Sequence, residues 1–310
     1  MPRLIDDIRA AGRLQMPWWV ARRYGDKWAQ HARRMMEIVC GDGVPVLLID
    51  NVADYYFRGT GQEYWDLTRD FPNLAPPYEV FWTEHKMPQT IHSDSYGDTS
   101  MSDTLGRHAR MGVLWLAAEA SGCKADGEIP ENAKWVLCAE MFTDYDVRGK
   151  EIEGPAGTWF LLVDKEGVLI GTPHMQCYAD PQFNEALTLH MTLLHPALLA
   201  VSFLHCKNVK VVDQETPGPL AKKYHARTGV WPRPFHTLEI EPLKQILRTQ
   251  GGAGTTNGIA KAMHICRGHF KDYREGRGLF GKYKQLVWQP SVIRGTKGKE
   301  AAPREVRIKV

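Results

Sequence analysis

Thr158-Trp159-Phe160-Leu161-Leu162-Val163, Asp164-Lys165-Glu166-Gly167 and Val168-Leu169-Ile170 read together as two strands joined by a tight loop. The flanking runs are β-branched or aromatic, and the polar linker ends in a glycine that tolerates the left-handed conformation of a hairpin turn. Working outward, residues 111–117 and 135–143 are further strand-like runs, as are 78–84 and the short apolar run 44–49. Residues 71–77, Phe-Pro-Asn-Leu-Ala-Pro-Pro, cannot be regular helix, since proline removes donors and restrains the residue before it.

Three segments have helical character. Residues 21–39 carry Trp28, Met35, Ile38 and Val39 as an apolar stripe, and Gly41-Asp42-Gly43 ends it. Residues 183–203 read as helical, with Pro196 marking a kink or a break, and 241–250 as a short helix before Gly251-Gly252-Ala253-Gly254. Residues 209–212, 262–270 and 286–288 are the last candidate strands. Strands and helices alternate irregularly and no repeat of 20–50 residues is present. The expectation is therefore α+β, a mainly antiparallel sheet flanked by helices. Length allows residues 1–204 and 205–310 as separate regions or one continuous domain.

The 310 residues carry 39 Lys+Arg and 36 Asp+Glu, a formal +3, but the charge is sorted along the chain. Residues 1–34 hold 8 basic and 3 acidic residues, 35–204 hold 10 and 25, and 205–310 hold 21 and 8. A net −15 middle therefore precedes a net +13 tail. At 43% apolar residues and a mean hydropathy of −0.37, neither a disordered chain nor a membrane bundle is indicated. The start turns acidic at Asp6-Asp7 and has no secretory pattern. The most apolar stretch, 193–204, is broken by His195-Pro196 and too short to span a bilayer. Six scattered cysteines without a CxxC pair suggest thiols in a cytoplasmic protein.

Functional residue types are densest in His264-Ile265-Cys266-Arg267-Gly268-His269-Phe270-Lys271-Asp272-Tyr273. On a strand, Arg267, His269 and Lys271 share one face with Tyr273 near it, and Arg294 lies just beyond a following strand. Arginine neutralises charge at phosphorus and histidine moves protons near neutral pH, so the set suits phosphate chemistry. The alternative is structural, with Arg267 and His269 bonding carbonyls or pairing with acids of the middle segment. Zinc donors occur at His205-Cys206 and His264-x-Cys266-x-x-His269, but adjacent strand residues point apart, so no metal or other cofactor is assigned. Gly251–Gly254 lacks the ending of a phosphate loop, and His92-Ser93-Asp94-Ser95 lacks the surroundings of a hydrolase nucleophile.

The tail interleaves cations with aromatics. Lys207, Lys210, Lys222, Lys223, Arg227, Arg233 and thirteen Lys/Arg beyond residue 260 alternate with Tyr224, Trp231, Tyr273, Phe280, Tyr283 and Trp288. Cations attract phosphates and aromatic faces accept unstacked bases. Lys271, Arg277, Lys282, Tyr283, Lys284 and Trp288 are the residues assigned to nucleic-acid contact. The competing partner for the positive tail is the chain's own acidic middle.

The pattern His264-x-x-Arg267-Gly268-His269-Phe270-x-x-Tyr273, Leu279-Phe280-Gly281, Trp288-x-Pro290 and Arg294-Gly295 resembles a family of uncharacterised proteins of bacteriophages and bacterial mobile elements. Residues 71–77 and 202–209 are consistent with it. The resemblance implies a phage-type setting in a bacterial cytoplasm and lends no activity. In residue types and strand order the tail also resembles small metal-independent ribonuclease toxins. For RNA cleavage the chemistry of these residues assigns His269 as general acid or base, Arg267 and Arg294 as stabilisers of the charged phosphorus, and Tyr273 as positioner or donor. The expectation is a nucleic-acid-binding protein, RNA before DNA, with metal-independent cleavage of RNA as a further form that leaves open whether it is an enzyme. The alternative is a non-enzymatic protein that inhibits a host defence or polymerase factor through its acidic face.

Overall fold

The computed structural model describes residues 3–16, 20, 22–58, 71–87, 90–93, 97–100, 110–123, 129–145, 151–155, 157–178, 184–240, 264–266, 269–276, 284–289 and 292–294. The chain begins with α1 (Leu4–Ala11), α2 (Gly25–Cys40), β1 (Val46–Leu48) and α3 (Asp50–Arg58). Strands β2 (Val80–Lys86), β3 (Thr90–Ser93), β4 (Gly97–Ser100), β5 (Arg110–Glu119) and β6 (Ala133–Tyr145) follow. Next come β7 (Glu151–Glu153), β8 (Gly157–Asp164), β9 (Leu169–Cys177), α4 (Asn184–Leu204), β10 (Val209–Gln214) and α5 (Gly218–Thr228). The last are β11 (Phe235–Ile240), β12 (His264–Cys266), β13 (His269–Asp272), β14 (Leu286–Gln289) and β15 (Val292–Arg294).

The architecture is α+β around a nine-stranded sheet of order β10-β11-β1-β2-β5-β6-β8-β9, with β7 paired to β6. From β2 to β9 every pairing is antiparallel, as expected. The expectation is corrected at β11-β1-β2, where the strands run parallel and make the sheet mixed. For β1–β2 the reason is the connection: α3 follows β1 directly, and a helical crossover returns the chain parallel to the strand it left, while β11 joins β1 from far along the chain.

The β8–β9 hairpin closes as its sequence suggests. Gly167 has φ +88°, and the Asp164 carboxylate accepts the N–H groups of Glu166 (2.9 Å) and Val168 (2.8 Å). The proline-rich segment 71–77 is irregular and docks on this turn, where Leu74 N–H donates to Gly167 O at 2.7 Å. A side chain at position 167 would strike Asn73, so two independent constraints select glycine.

Both sheet faces are covered. On one, Leu4, Ile5 and Ile8 of α1 and Met35 and Val39 of α2 pack with Val46, Trp82, Leu114 and Phe142. On the other, Phe81 and Trp115 stack at 5.6 Å, and the Trp115 indole donates to Thr83 Oγ1. The α3 side chains Tyr56 and Phe57 meet His195 of α4 and His85 of β2. Helix α4 continues through Pro196 and does not break there. Leu193, Leu194 and residues 197–201 around it are buried, and that packing outweighs the missing backbone bond.

The chain divides into two compact units, Met1–Ser202 with Val212–Thr237, and Phe203–Val211 with Leu238–Val310. The expected strand over 262–270 occurs as β12 and β13. The expected helix over 241–250 and the glycine run after it lie outside the described residues. Among the described residues no helix is long and apolar enough to cross a membrane.

Candidate functional site

In the second unit two ladders carry the motif residues. Strand β12 pairs with β15, setting His264 opposite Arg294, and β13 pairs with β14, setting His269 opposite Gln289. The same pairing offset runs through both ladders. The cross-strand neighbour of Arg294 is thus His264, a histidine outside the catalytic set expected from sequence. Arg267, Arg277, Lys282 and Tyr283 lie outside the described residues. Lys271, opposite Val287, and Tyr273 are half-buried, and Tyr273 N–H donates to Gln285 O at 3.0 Å. Lys284 is exposed.

Trp288 departs from its assigned role. It is 1% exposed, with Phe270 at 4.7 Å and Phe203 at 4.9 Å between ring centroids. Asn208 fixes the strand beneath it, donating to Trp288 O and accepting Trp288 N–H, both at 3.0 Å. Trp288 is therefore core of the second unit, and its ring is covered by apolar partners instead of presented to a base. The physical reason is that an aromatic ring buries more apolar area than most side chains, and Phe203 and Phe270 supply matching surfaces.

The same sorting applies to the other aromatics named from sequence. Tyr224 is buried, and its hydroxyl donates to Asp7 at 2.9 Å. Arg233 is also buried, its guanidinium held by the carbonyls of Cys40 and Gly41. Trp231 is 55% exposed and stacks on His225 at 4.2 Å.

The fold assembles two polar constellations in the first unit around Glu84 and Glu140, carboxylates on or near strand-like runs whose partners the sequence spacing does not specify. In one, the buried Glu140 carboxylate on β6 meets His31 Nε2 of α2 at 3.1 Å and accepts the hydroxyl of Thr158 on β8. The Tyr178 ring stands edge-on to His31 at 6.0 Å, and its phenol is pushed up by burial and by Glu140. A carboxylate that orients a half-buried imidazole is an arrangement able to hold and move a proton. A faint signal existed, since His31 follows Trp28 by three residues and precedes Met35 by four, the spacing of one helix face. Glu140 lies over a hundred residues away in sequence, and only the fold joins them.

In the other, Glu84 is 0% exposed and receives the N–H groups of Leu4 (2.8 Å) and Ile5 (3.2 Å) at the start of α1. The Trp82 indole and the Arg110 guanidinium complete its shell, and Arg110 also reaches Asp50 at 3.2 Å. A buried carboxylate at a helix N-terminus complements the positive end of that helix. Every Glu84 contact is internal to the protein, which marks it as a strut of the fold.

No protein-family model, curated protein or solved structure matches this chain. Among the described residues no group of three or more His, Cys, Asp or Glu side chains could hold a metal ion. Cys40, Cys123, Cys138 and Cys206 form no disulfide among the described residues, and burial pushes the Cys138 and Cys206 thiols up to about 12.

Proposed function

We propose that this chain binds nucleic acid, RNA in preference to DNA, through its second unit, in a phage or mobile-element setting. One observation carries the reading. The unit Phe203–Val211 with Leu238–Val310 holds 17 Lys+Arg against 6 Asp+Glu, a net +11, while the rest of the chain holds 22 against 30, a net −8. The positive charge is thus concentrated on the stretches of sequence that make up this unit instead of being spread evenly along the chain. That unit has an aromatic core of its own in Phe203, Phe270 and Trp288. A concentrated positive field attracts a phosphate backbone whatever the net charge of the whole chain.

A finer form of the proposal adds cleavage. His269 then acts as general acid or base, Arg267 and Arg294 stabilise the phosphorus centre, and Tyr273 positions or donates. Labelled RNA titrated with the full chain at rising salt tests the binding reading. Affinity is expected to fall steeply and linearly in log salt; no binding near 50 mM salt sinks the proposal. Incubation of the same RNA tests cleavage separately. Arg267→Ala and His269→Ala should each abolish it with the fold intact, and RNA left whole by the wild-type chain removes the catalytic form alone. A stoichiometric protein partner that survives nuclease and high salt would favour inhibition of a host factor instead.

A further inference from the structure

Trp231 is the most exposed large apolar side chain among the described residues, at 55%. An indole left in water forgoes the burial that its size makes available, so its position calls for a reason. Looseness of the loop does not supply one, because the backbone on both sides is tied down. Gly229, at φ +76°, ends α5 and donates its N–H to His225 O at 2.7 Å. Val230 N–H reaches Thr228 Oγ1 at 3.3 Å, and Trp231 O accepts from Arg9 Nη1 at 3.3 Å. Two residues on, Arg233 N–H donates to Asp6 at 3.1 Å, and its guanidinium is anchored in the carbonyls after α2.

The ring itself is also oriented. His225 lies under it at 4.2 Å between centroids with planes 17° apart, so one indole face is covered by a parallel imidazole. The nearby acids are engaged within the fold, Asp6 by Arg3, Arg9 and the Arg233 N–H and Asp7 by the Tyr224 hydroxyl, and the exposed charge of α5 is positive. Lys222, Lys223 and Arg227 of α5 are exposed, and no Asp or Glu occurs between Glu215 and Glu239. A fixed aromatic face beside several cations is the chemistry that holds a base and its neighbouring phosphates.

We propose that Trp231, seated on His225, is a stacking platform for an unpaired base of single-stranded nucleic acid, with α5 contacting the flanking phosphates. The proposal rests on the nucleic-acid reading above and adds a site in the first unit together with a strand preference. Duplexes are excluded from the platform because their bases are already stacked on one another, whereas every unpaired base offers a free face.

The test is fluorescence anisotropy of the full chain with a labelled, unstructured single-stranded RNA of about 16 nucleotides and with a duplex of equal length. Trp231→Ala should weaken single-strand binding on the order of tenfold while changing duplex binding less than about twofold. Trp231→Phe should restore most of the loss, and both variants should keep the wild-type thermal midpoint because the side chain is exposed. If Trp231→Ala binds the single strand as tightly as wild type, or loses both ligands equally, the platform is refuted while the nucleic-acid reading stands. If wild type binds neither ligand, both fall together.

Discussion

His85 is fully buried on β2, and neither of its ring nitrogens has a hydrogen-bond partner among the described residues. Burial pushes its pKa down to about 3, Asp50 opposing and Arg110 adding to the shift, and burial alone takes His195 down to about 4. Both imidazoles therefore stay neutral in the folded protein while the unfolded chain protonates them below its ordinary value near 6.5. Each then costs about 1.4 kcal/mol of stability per pH unit as pH falls below 6.5. Asp7 works in the opposite sense. Burial lifts it to about 6, so its carboxyl favours the folded state at low pH and that contribution is lost as pH rises from 3.8 through 6. The net acid response mixes these terms, but a substitution separates them. His85→Leu should leave urea midpoints near wild type at pH 7 and raise them clearly at pH 4.5; equal shifts at both pH values would refute this. Glu84→Gln keeps the shape but turns one acceptor into a donor facing N–H groups and leaves Arg110 with only the half-exposed Asp50 carboxylate among the described residues, and a loss of about 3 kcal/mol in chemical unfolding is expected.

At the scale of elements, the β2–β5 pair is keyed by one glycine. Gly112 stands opposite Glu84, and a Cβ there would fall inside the Trp82 indole, which crosses it to reach the Glu84 carboxylate at 3.0 Å. Gly112→Ala must displace that ring and should cost about 2–3 kcal/mol. Trp82→Leu in the same chain should recover part of the loss, and strictly additive unfolding energies would count against the keyed contact. The strands 111–117, 135–143 and 158–163 were legible because β-branched and aromatic runs report a local preference, and the 164–167 turn because its chemistry lies within a few residues. Helices α1 and α5 were not read. Both are short, and α1 is held by Glu84 from another element while α5 carries few apolar residues of its own. Pro196 suggested a break for a similar reason, since local rules take no account of the packing that carries α4 through it.

For the whole molecule, the informative quantity is the division of charge between units, not the formal +3. If the positive unit binds the phosphates of a single strand, each contact contributes about 0.7 to the salt slope of binding. Replacing Lys271 and Lys284 by Gln should lower that slope by up to about 1.4 while leaving thermal stability unchanged, because Lys284 is exposed and Lys271 half-buried. An unchanged slope would show that these two side chains touch no backbone phosphate. Of the candidate residues, the sequence made the cation–aromatic tail visible but could not rank its members. Trp231 and Trp288 look alike as letters, and tertiary packing alone buries one beneath Phe203 and Phe270 and leaves the other standing on His225. Turn chemistry, strand runs, the helix over 21–39 and the charge asymmetry are properties of neighbours in the chain, and the linear order is enough to read them. The parallel β11-β1-β2 pairing, the His31–Glu140 contact and the exposure of one tryptophan depend on which distant segments exclude water from which side chains, and that is settled only when the sheet and its helices have closed around them.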